Sequence, residues 1–231
     1  MPSRLQQRQK SAPMPRVKRP SKTWAGTSRG LCWWTPKTCA WTASSVTSRS
    51  NTAGVSASKP LVLVPLGADV ADINDALRLY WQLKVYGQDE MAVLNGGYSA
   101  WLLEGRAFSR EASAGNGDWR VKVDRTAQYF ASSEDVAKAM QSRSATLVDS
   151  RDAPLYHGLV KRDYVYGFGH LEGAKLYPTD LMFKNVGGAL KFMPPATYRG
   201  LLAAQGIDEK AAAITYCNSG HLSSGPWFLM S

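Results

Sequence analysis

The sequence predicts an α/β fold built from two successive blocks of parallel sheet flanked by helices. Three observations carry this. Short apolar runs at Leu61–Val64, Met91–Leu94, Thr146–Val148 and Ala212–Tyr216 have the length and composition of buried parallel strands. Between them lie stretches with apolar residues at helical spacing. A polar, small-residue stretch over 110–118 divides the pattern in two, and a domain boundary is expected there.

In the first block, residues 59–109, Pro60 and Pro65 bound the first strand. Gly67 and Asp69 form a loop, and Asp69 or Asp72 supplies a helix cap. Ile73, Ala76, Leu77, Tyr80, Trp81 and Lys84 predict a helix that Gly87 stops. Met91–Leu94 follows as a strand, Asn95-Gly96-Gly97 as a turn, and Tyr98 to Glu104 as a short helix ended by Gly105. Strand, helix, strand, helix with short links is a βαβα unit.

In the second block, residues 119–231, Trp119, Val121 and Val123 alternate with charged residues and predict an extended strand. Ser132 and Asp135 have capping-box spacing at the start of a helix running to about Met140. The strand Thr146–Val148 leads into Asp149-Ser150-Arg151, then a long loop over 152–169 and a short strand over Ala174–Tyr177. Pro194-Pro195 precedes a helix from Ala196 to Gln205, closed by Gly206. The strand Ala212–Tyr216 ends at Cys217, and Ser224–Ser231 reads as the first turns of a helix.

Composition excludes several classes. No apolar run approaches the ~18 residues of a membrane span. Three cysteines, Cys32, Cys39 and Cys217, cannot staple a disulfide-dense secreted scaffold. The net charge of +10 is confined to one segment. Residues 1–58 hold ten Lys and Arg and no acid, whereas the remainder holds 18 basic and 18 acidic residues. A nucleic-acid partner is therefore not expected for the body of the chain.

Residues 1–58 contain 17 Ser and Thr, two leucines, no isoleucine and no phenylalanine, so disorder is expected there. A secretory signal is excluded because no apolar core exists. A mitochondrial transit peptide suits the charge, but four tryptophans and Pro13, Pro15, Pro20 and Pro36 suit it poorly. A stretch that is not native coding sequence, joined to a genuine protein near Lys59, is the favoured reading. The expected compartment is cytoplasmic, or mitochondrial if the basic segment is genuine. Cys32 and Cys39 have no ligand pattern around them, since no histidine precedes His157, and no metal site is expected.

Open α/β sheets place their sites at the carboxyl ends of strands. Cys217 stands there, followed by Asn218-Ser219-Gly220-His221-Leu222-Ser223. Gly220 permits a positive φ, and the other residues are mostly small or polar, as an anion cradle requires. Inward N–H groups and a following helix end stabilise a sulfur-centred anion. Cys217 taken alone reads equally as a small buried apolar residue. His221 fills the loop or touches substrate. Asp149 and Arg151 read as an ion pair bracing the loop, and His170 as a local hydrogen-bonding residue.

From about Lys59 to Ser231 the chain resembles the tandem-domain rhodaneses, a family of sulfurtransferases. The resemblance is carried by Ala71–Trp81, Val93–Trp101, Asp149–Arg151, Gly169–Ala174 and Tyr216-Cys217 with its loop, in the family order. It implies two rhodanese-like domains. The first, 59–109, is partial and inactive, with Pro65–Asp69 in the place of its silent loop. The second, 119–231, is catalytic. It further implies that the first domain lacks its N-terminal half and the second its C-terminal end.

By the same resemblance, Cys217 forms a persulfide, residues 218–223 hold it, and Asp149 is structural. The cysteine takes sulfane sulfur from a small-molecule donor and passes it to cyanide, a thiol or a reduced protein thiol, without cofactor or membrane partner. The loop departs from both donor-specific patterns: Asn218 and Ser219 are neutral where thiosulfate-specific members are basic, and the run also differs from that of mercaptopyruvate-specific members. A doubly charged donor needs fixed cations, so a mercaptopyruvate-type or persulfide donor is expected over thiosulfate. Two other readings compete. A cysteine phosphatase wants an arginine six residues after the cysteine, where Ser223 stands. A catalytically idle binding module or damaged fragment would fold without taking up sulfur.

Overall fold

A computed structural model describes residues 42–110 and 115–231. Cys32, Cys39 and most of the basic segment lie outside the described residues, as do positions 111–114 of the expected linker.

The first described element is a helix that composition does not announce, α1 (Ala43–Thr52). Thr42 caps it by accepting from the Ser45 amide, and Val46 and Ser50, one turn apart, are buried. The expectation that the whole of 1–58 stays unpacked therefore does not hold for 42–58. Val46 packs with Leu63, Trp81, Val85 and Trp119. One valine on one helix face is enough when a preformed apolar surface receives it.

Strand β1 (Leu61–Leu63) pairs in parallel with β2 (Met91–Val93), Leu61 opposite Met91. Helix α2 (Val70–Val85) crosses between them, with Asp69 accepting from the Asp72 amide as its cap, and α3 (Gly97–Leu103) follows β2. The turns after β1 and β2 meet backbone to backbone: a Cβ on Gly67 (φ +79°) would lie 2.2 Å from the Gly96 carbonyl oxygen. No side chain fits there.

Residues 119–125 are not a strand. The amides of Trp119, Lys122 and Arg125 donate to the carbonyls of Val55, Tyr86 and Val85, which are loop and helix-end groups rather than a ladder. The alternating pattern is real, but it serves to bury Trp119, whose Nε1 donates to Gln88 Oε1 at 3.1 Å. A short helix α4 (Thr126–Tyr129) follows. Helix α5 (Ser133–Ser142) carries the complete Ser132/Asp135 capping box.

The second sheet is parallel, in the order β4 (Lys175–Leu176), β3 (Thr146–Asp149), β7 (Ala213–Tyr216). Its register pairs Asp149 with both Leu176 and Tyr216. One turn of helix, α6 (Ala153–Tyr156), interrupts the loop expected over 152–169. The stretch 178–193, to which the sequence reading assigns no element, forms a 3₁₀ turn and a hairpin, β5 (Phe183–Val186) with β6 (Ala189–Phe192). Gly187 and Gly188, both at positive φ, make its two-residue turn. Helices α7 (Pro195–Ala204) and α8 (Ser224–Met230) flank β7 in sequence.

The two blocks do not keep separate cores. Ile73 and Leu77 of α2, from the first block, are buried with Val148, Tyr177, Met182 and Tyr198 of the second. Four residues further along the same helix, Trp81 packs into the first block. The boundary at 110–118 is a connection in the chain, not a division of the packed interior, and all described residues fall in one compact unit. No described helix is long and apolar enough to cross a membrane.

Candidate active site

Parallel pairing sets the site. Because Asp149 lies opposite Tyr216, the segments leaving β3 and β7 emerge side by side at the carboxyl edge of the sheet. Cys217 is the residue after β7, and its side chain is buried. Asp149 is inaccessible to solvent, and Arg151 nearly so. The Arg151 guanidinium clasps the Asp149 carboxylate, with Nη2 donating at 2.6 Å and Nε at 2.9 Å. Its remaining reach ties two loops together: Nη1 donates to Asn218 Oδ1 at 3.1 Å and Nη2 to the Gly169 carbonyl at 2.7 Å. Burial opposes the guanidinium charge, but the hydrogen bonds and field of Asp149 outweigh it and hold the Arg151 pKa above its ordinary value. The expected bracing pair is in place.

The loop 218–223 is held by its carbonyls. Gly220 O accepts from Arg78 Nη1 at 2.9 Å, and His221 O accepts from Asn74 Nδ2 and from Ser224 Oγ. Leu222 O accepts from Thr179 Oγ1 at 3.0 Å, and Ser223 O from Thr215 Oγ1 at 2.9 Å. In a trans peptide the N–H points opposite to the C=O. The amides of His221, Leu222 and Ser223 are thus turned away from the groups that grip the loop. Among the described residues, none of the N–H groups of 218–223 has an intramolecular acceptor. Gly220 adopts φ +71°, which lets the chain curl at that point. Ser223 Oγ stands 3.9 Å from Cys217 Sγ. The result is a buried thiol beside a run of unspent donors.

A cavity of about 510 Å³ opens onto Cys217. Asn218, Ser219, Gly220 and Ser223 line it on the loop side, and Tyr129, Phe130 and Trp227 contribute an aromatic wall. The expected residues His221 and Leu222 do not line it. His221 Nε2 instead hydrogen-bonds Asp75 Oδ1 on α2. Lys161 and Lys175, on the segments around the long second-block loop, are also directed elsewhere: Lys161 Nζ donates to the Val165 carbonyl, and Lys175 lies against Gly206. His170 stacks on Tyr156 and bonds its carbonyl, a local role as expected.

The sequence reading omits the contribution of α2. Asn74, Asp75 and Arg78 reach the loop, and Arg78 and Trp81 line the cavity. One signal was legible: Asn74 and Arg78 sit one turn apart beside the apolar Ile73 and Leu77, and Asn74 is fully buried. A buried polar side chain on a core-facing helix needs a partner from elsewhere. Among the described residues, no group of three or more His, Cys, Asp or Glu forms a metal-binding cluster.

No family model matches the chain. By sequence it is similar to thiosulfate sulfurtransferases. That of Cricetulus griseus is 29% identical over 148 residues, covering 63% of this chain and 48% of that protein. That of Bos taurus is 28% identical over 148 residues with the same coverage. A putative thiosulfate sulfurtransferase of Mycolicibacterium smegmatis is 26% identical over 167 residues, covering 65% and 55%. The chain spans about half the length of the curated relatives it matches. Among solved structures, EanB bound to hercynine in a cysteine-to-serine variant has a TM-score of 0.65 at 23% identity, covering 87% of this chain and 51% of that one. The anaerobic ergothioneine biosynthesis enzyme from Chlorobium limicola with trimethyl histidine gives 0.63 at 23%, covering 86% and 51%. These likenesses show a shared fold.

Proposed function

We propose that this chain, similar over 63% of its length to thiosulfate sulfurtransferases, moves sulfane sulfur through a persulfide on Cys217. The observation that carries the proposal is the loop itself: its carbonyls are gripped from outside by Arg78, Asn74, Thr179 and Thr215, and its amides are left unspent beside a buried cysteine. Such an arrangement holds an anion without needing a charged side chain in the loop.

The donor is thiosulfate, in keeping with the relatives. The Cys217 thiolate attacks its outer sulfur, a new S–S bond forms, the old S–S bond breaks, and sulfite leaves with the bonding pair. Cys217 now carries a persulfide anion, which the amides of 218–223 stabilise. A thiophilic acceptor then attacks the terminal sulfur. Cyanide leaves as thiocyanate, or a thiol as its persulfide, and the Cys217 thiolate returns. Two half-reactions sharing one covalent intermediate give ping-pong kinetics. Asp149 and Arg151 touch neither reactant. They position Asn218 and the 169 turn around the nucleophile.

The test is mass spectrometry of the protein after incubation with thiosulfate and removal of excess donor. One sulfur atom is expected on the peptide containing Cys217, discharged by cyanide, and none on Cys217→Ser. A folded wild-type protein that never takes up sulfur would overturn the proposal in favour of an idle binding module.

A further inference from the structure

We propose that Arg78, on α2 of the first block, recognises the anionic end of the sulfur donor for the cysteine of the second block. The inference rests on the sulfur-transfer reading above and adds to it the group that selects the donor.

Thiosulfate brings two negative charges towards a thiolate, and fixed positive charge must offset their repulsion. The loop contains none. Arg151 is clasped by the buried Asp149 carboxylate and does not line the cavity. His221 hydrogen-bonds Asp75, and Lys161 and Lys175 are directed elsewhere. Among the described residues lining the cavity, Arg78 is the only Lys or Arg, and Glu134 the only carboxylate.

Arg78 is also held in place. Its Nη1 donates to the Gly220 carbonyl at 2.9 Å, and its Cζ lies 4.4 Å from the centre of the Trp81 ring. The guanidinium plane is therefore fixed at both ends, and one of them is the loop that carries the nucleophile. A guanidinium offers several N–H donors in a rigid fork that matches a sulfonate as it matches a carboxylate or phosphate. Trp81 against it, and Tyr129, Phe130 and Trp227 elsewhere on the cavity wall, lower the local dielectric, which strengthens the ion pair. Neutral Asn218 and Ser219 are thereby accounted for, since the cation comes from another element. Arg78 and Cys217 line the same cavity, so a sulfonate held on Arg78 stays paired as the S–S bond breaks and sulfite departs. A cation supplied from outside the loop lets a doubly charged donor compete with a mercaptopyruvate-type one.

Because Arg78 also braces Gly220, the experiment must separate recognition from support. Ping-pong kinetics do so, since kcat/KM for each substrate reports only its own half-reaction. The full chain is assayed with thiosulfate as donor and dithiothreitol, an uncharged thiol, as acceptor. Arg78→Gln is expected to lower kcat/KM for thiosulfate by about 10- to 100-fold, the loss of one charge-assisted bidentate contact, and to lower that for dithiothreitol, which feels only the lost brace on Gly220, by far less. Arg78→Lys, which keeps the charge but not the fork or the stack, should fall between. In a second arm, calorimetry measures thiosulfate binding to Cys217→Ser with and without Arg78→Gln, and the Kd is expected to rise by a similar factor. Equal loss in both half-reactions, or an unchanged kcat/KM and Kd for thiosulfate, would overturn the inference. If the wild type takes up no sulfur, the sulfur-transfer reading has failed, and the calorimetric arm still decides whether Arg78 holds the anion.

Discussion

Arg151 is separated from its carboxylate by a single residue, yet the two side chains do the work of holding three segments together. Asp149 has no solvent exposure, and its charge is offset by the Arg151 guanidinium and by the Arg151 amide, which donates to Oδ1 at 3.0 Å. Removing one partner leaves the other buried and uncompensated. Arg151→Leu is expected to destabilise the fold by about 3–5 kcal/mol, read as a lowered midpoint in urea unfolding. The same change frees Asn218 and the Gly169 carbonyl, so persulfide formation should fall even where the protein stays folded. The pair reads directly from the sequence because the spacing is local. Arg78 does not, because its partner Gly220 lies 142 residues away.

At the scale of elements, the hairpin β5–β6 is attached to the first block by its charges. Lys191 Nζ on β6 donates to Glu104 Oε1 at 2.8 Å just beyond α3, and Arg106 holds the other carboxylate oxygen at 2.7 Å. The hydrogen bonds of Lys191 and then Arg106 bring the Glu104 pKa down to about 2 from an ordinary 4.5. A depressed carboxylate contributes stability above its unfolded pKa and loses it as pH falls through the folded one. The Tm of wild type should thus exceed that of Glu104→Gln at about pH 6, with the gap closing between pH 4.5 and 2. High salt should shrink it, since the site is exposed. The hairpin had its own signal in Gly187-Gly188. Its flanking strands are short and half-exposed, so the apolar pattern that marks a buried strand is weak there.

Across the whole molecule, α2 is the element on which both blocks depend. Ile73 and Leu77 fill the second core and Trp81 the first, while Asn74, Asp75 and Arg78 hold the cysteine loop. Unfolding either block strips a face of this helix, so a single cooperative transition is expected for the described body. Helix α1 belongs to that body through Val46, which is 1% exposed. Val46→Ala should cost about 1–3 kcal/mol, and limited proteolysis of wild type should leave a resistant core that includes Thr42–Thr52. A core beginning near Lys59 would contradict the packing of α1.

The sequence by itself determined the elements whose signals are local. Strands β1, β2, β3 and β7 are dense apolar runs between turn residues, and the Asp69 cap and Ser132/Asp135 box are three-residue patterns. Cys217 and Gly220 could be singled out because a strand end, a thiol and a glycine are adjacent in the chain. Only the tertiary structure decided the rest. The valine of α1 gains a helix's worth of burial solely because Leu63, Trp81 and Trp119 form a surface for it. The alternation over 119–124 resembles a strand, but no neighbouring strand offers a ladder. Arg78 is an ordinary helical arginine until the fold sets it beside Gly220 and Trp81. Hydrophobic periodicity records which face of an element avoids water, and it carries no information on which distant polar group that face will meet.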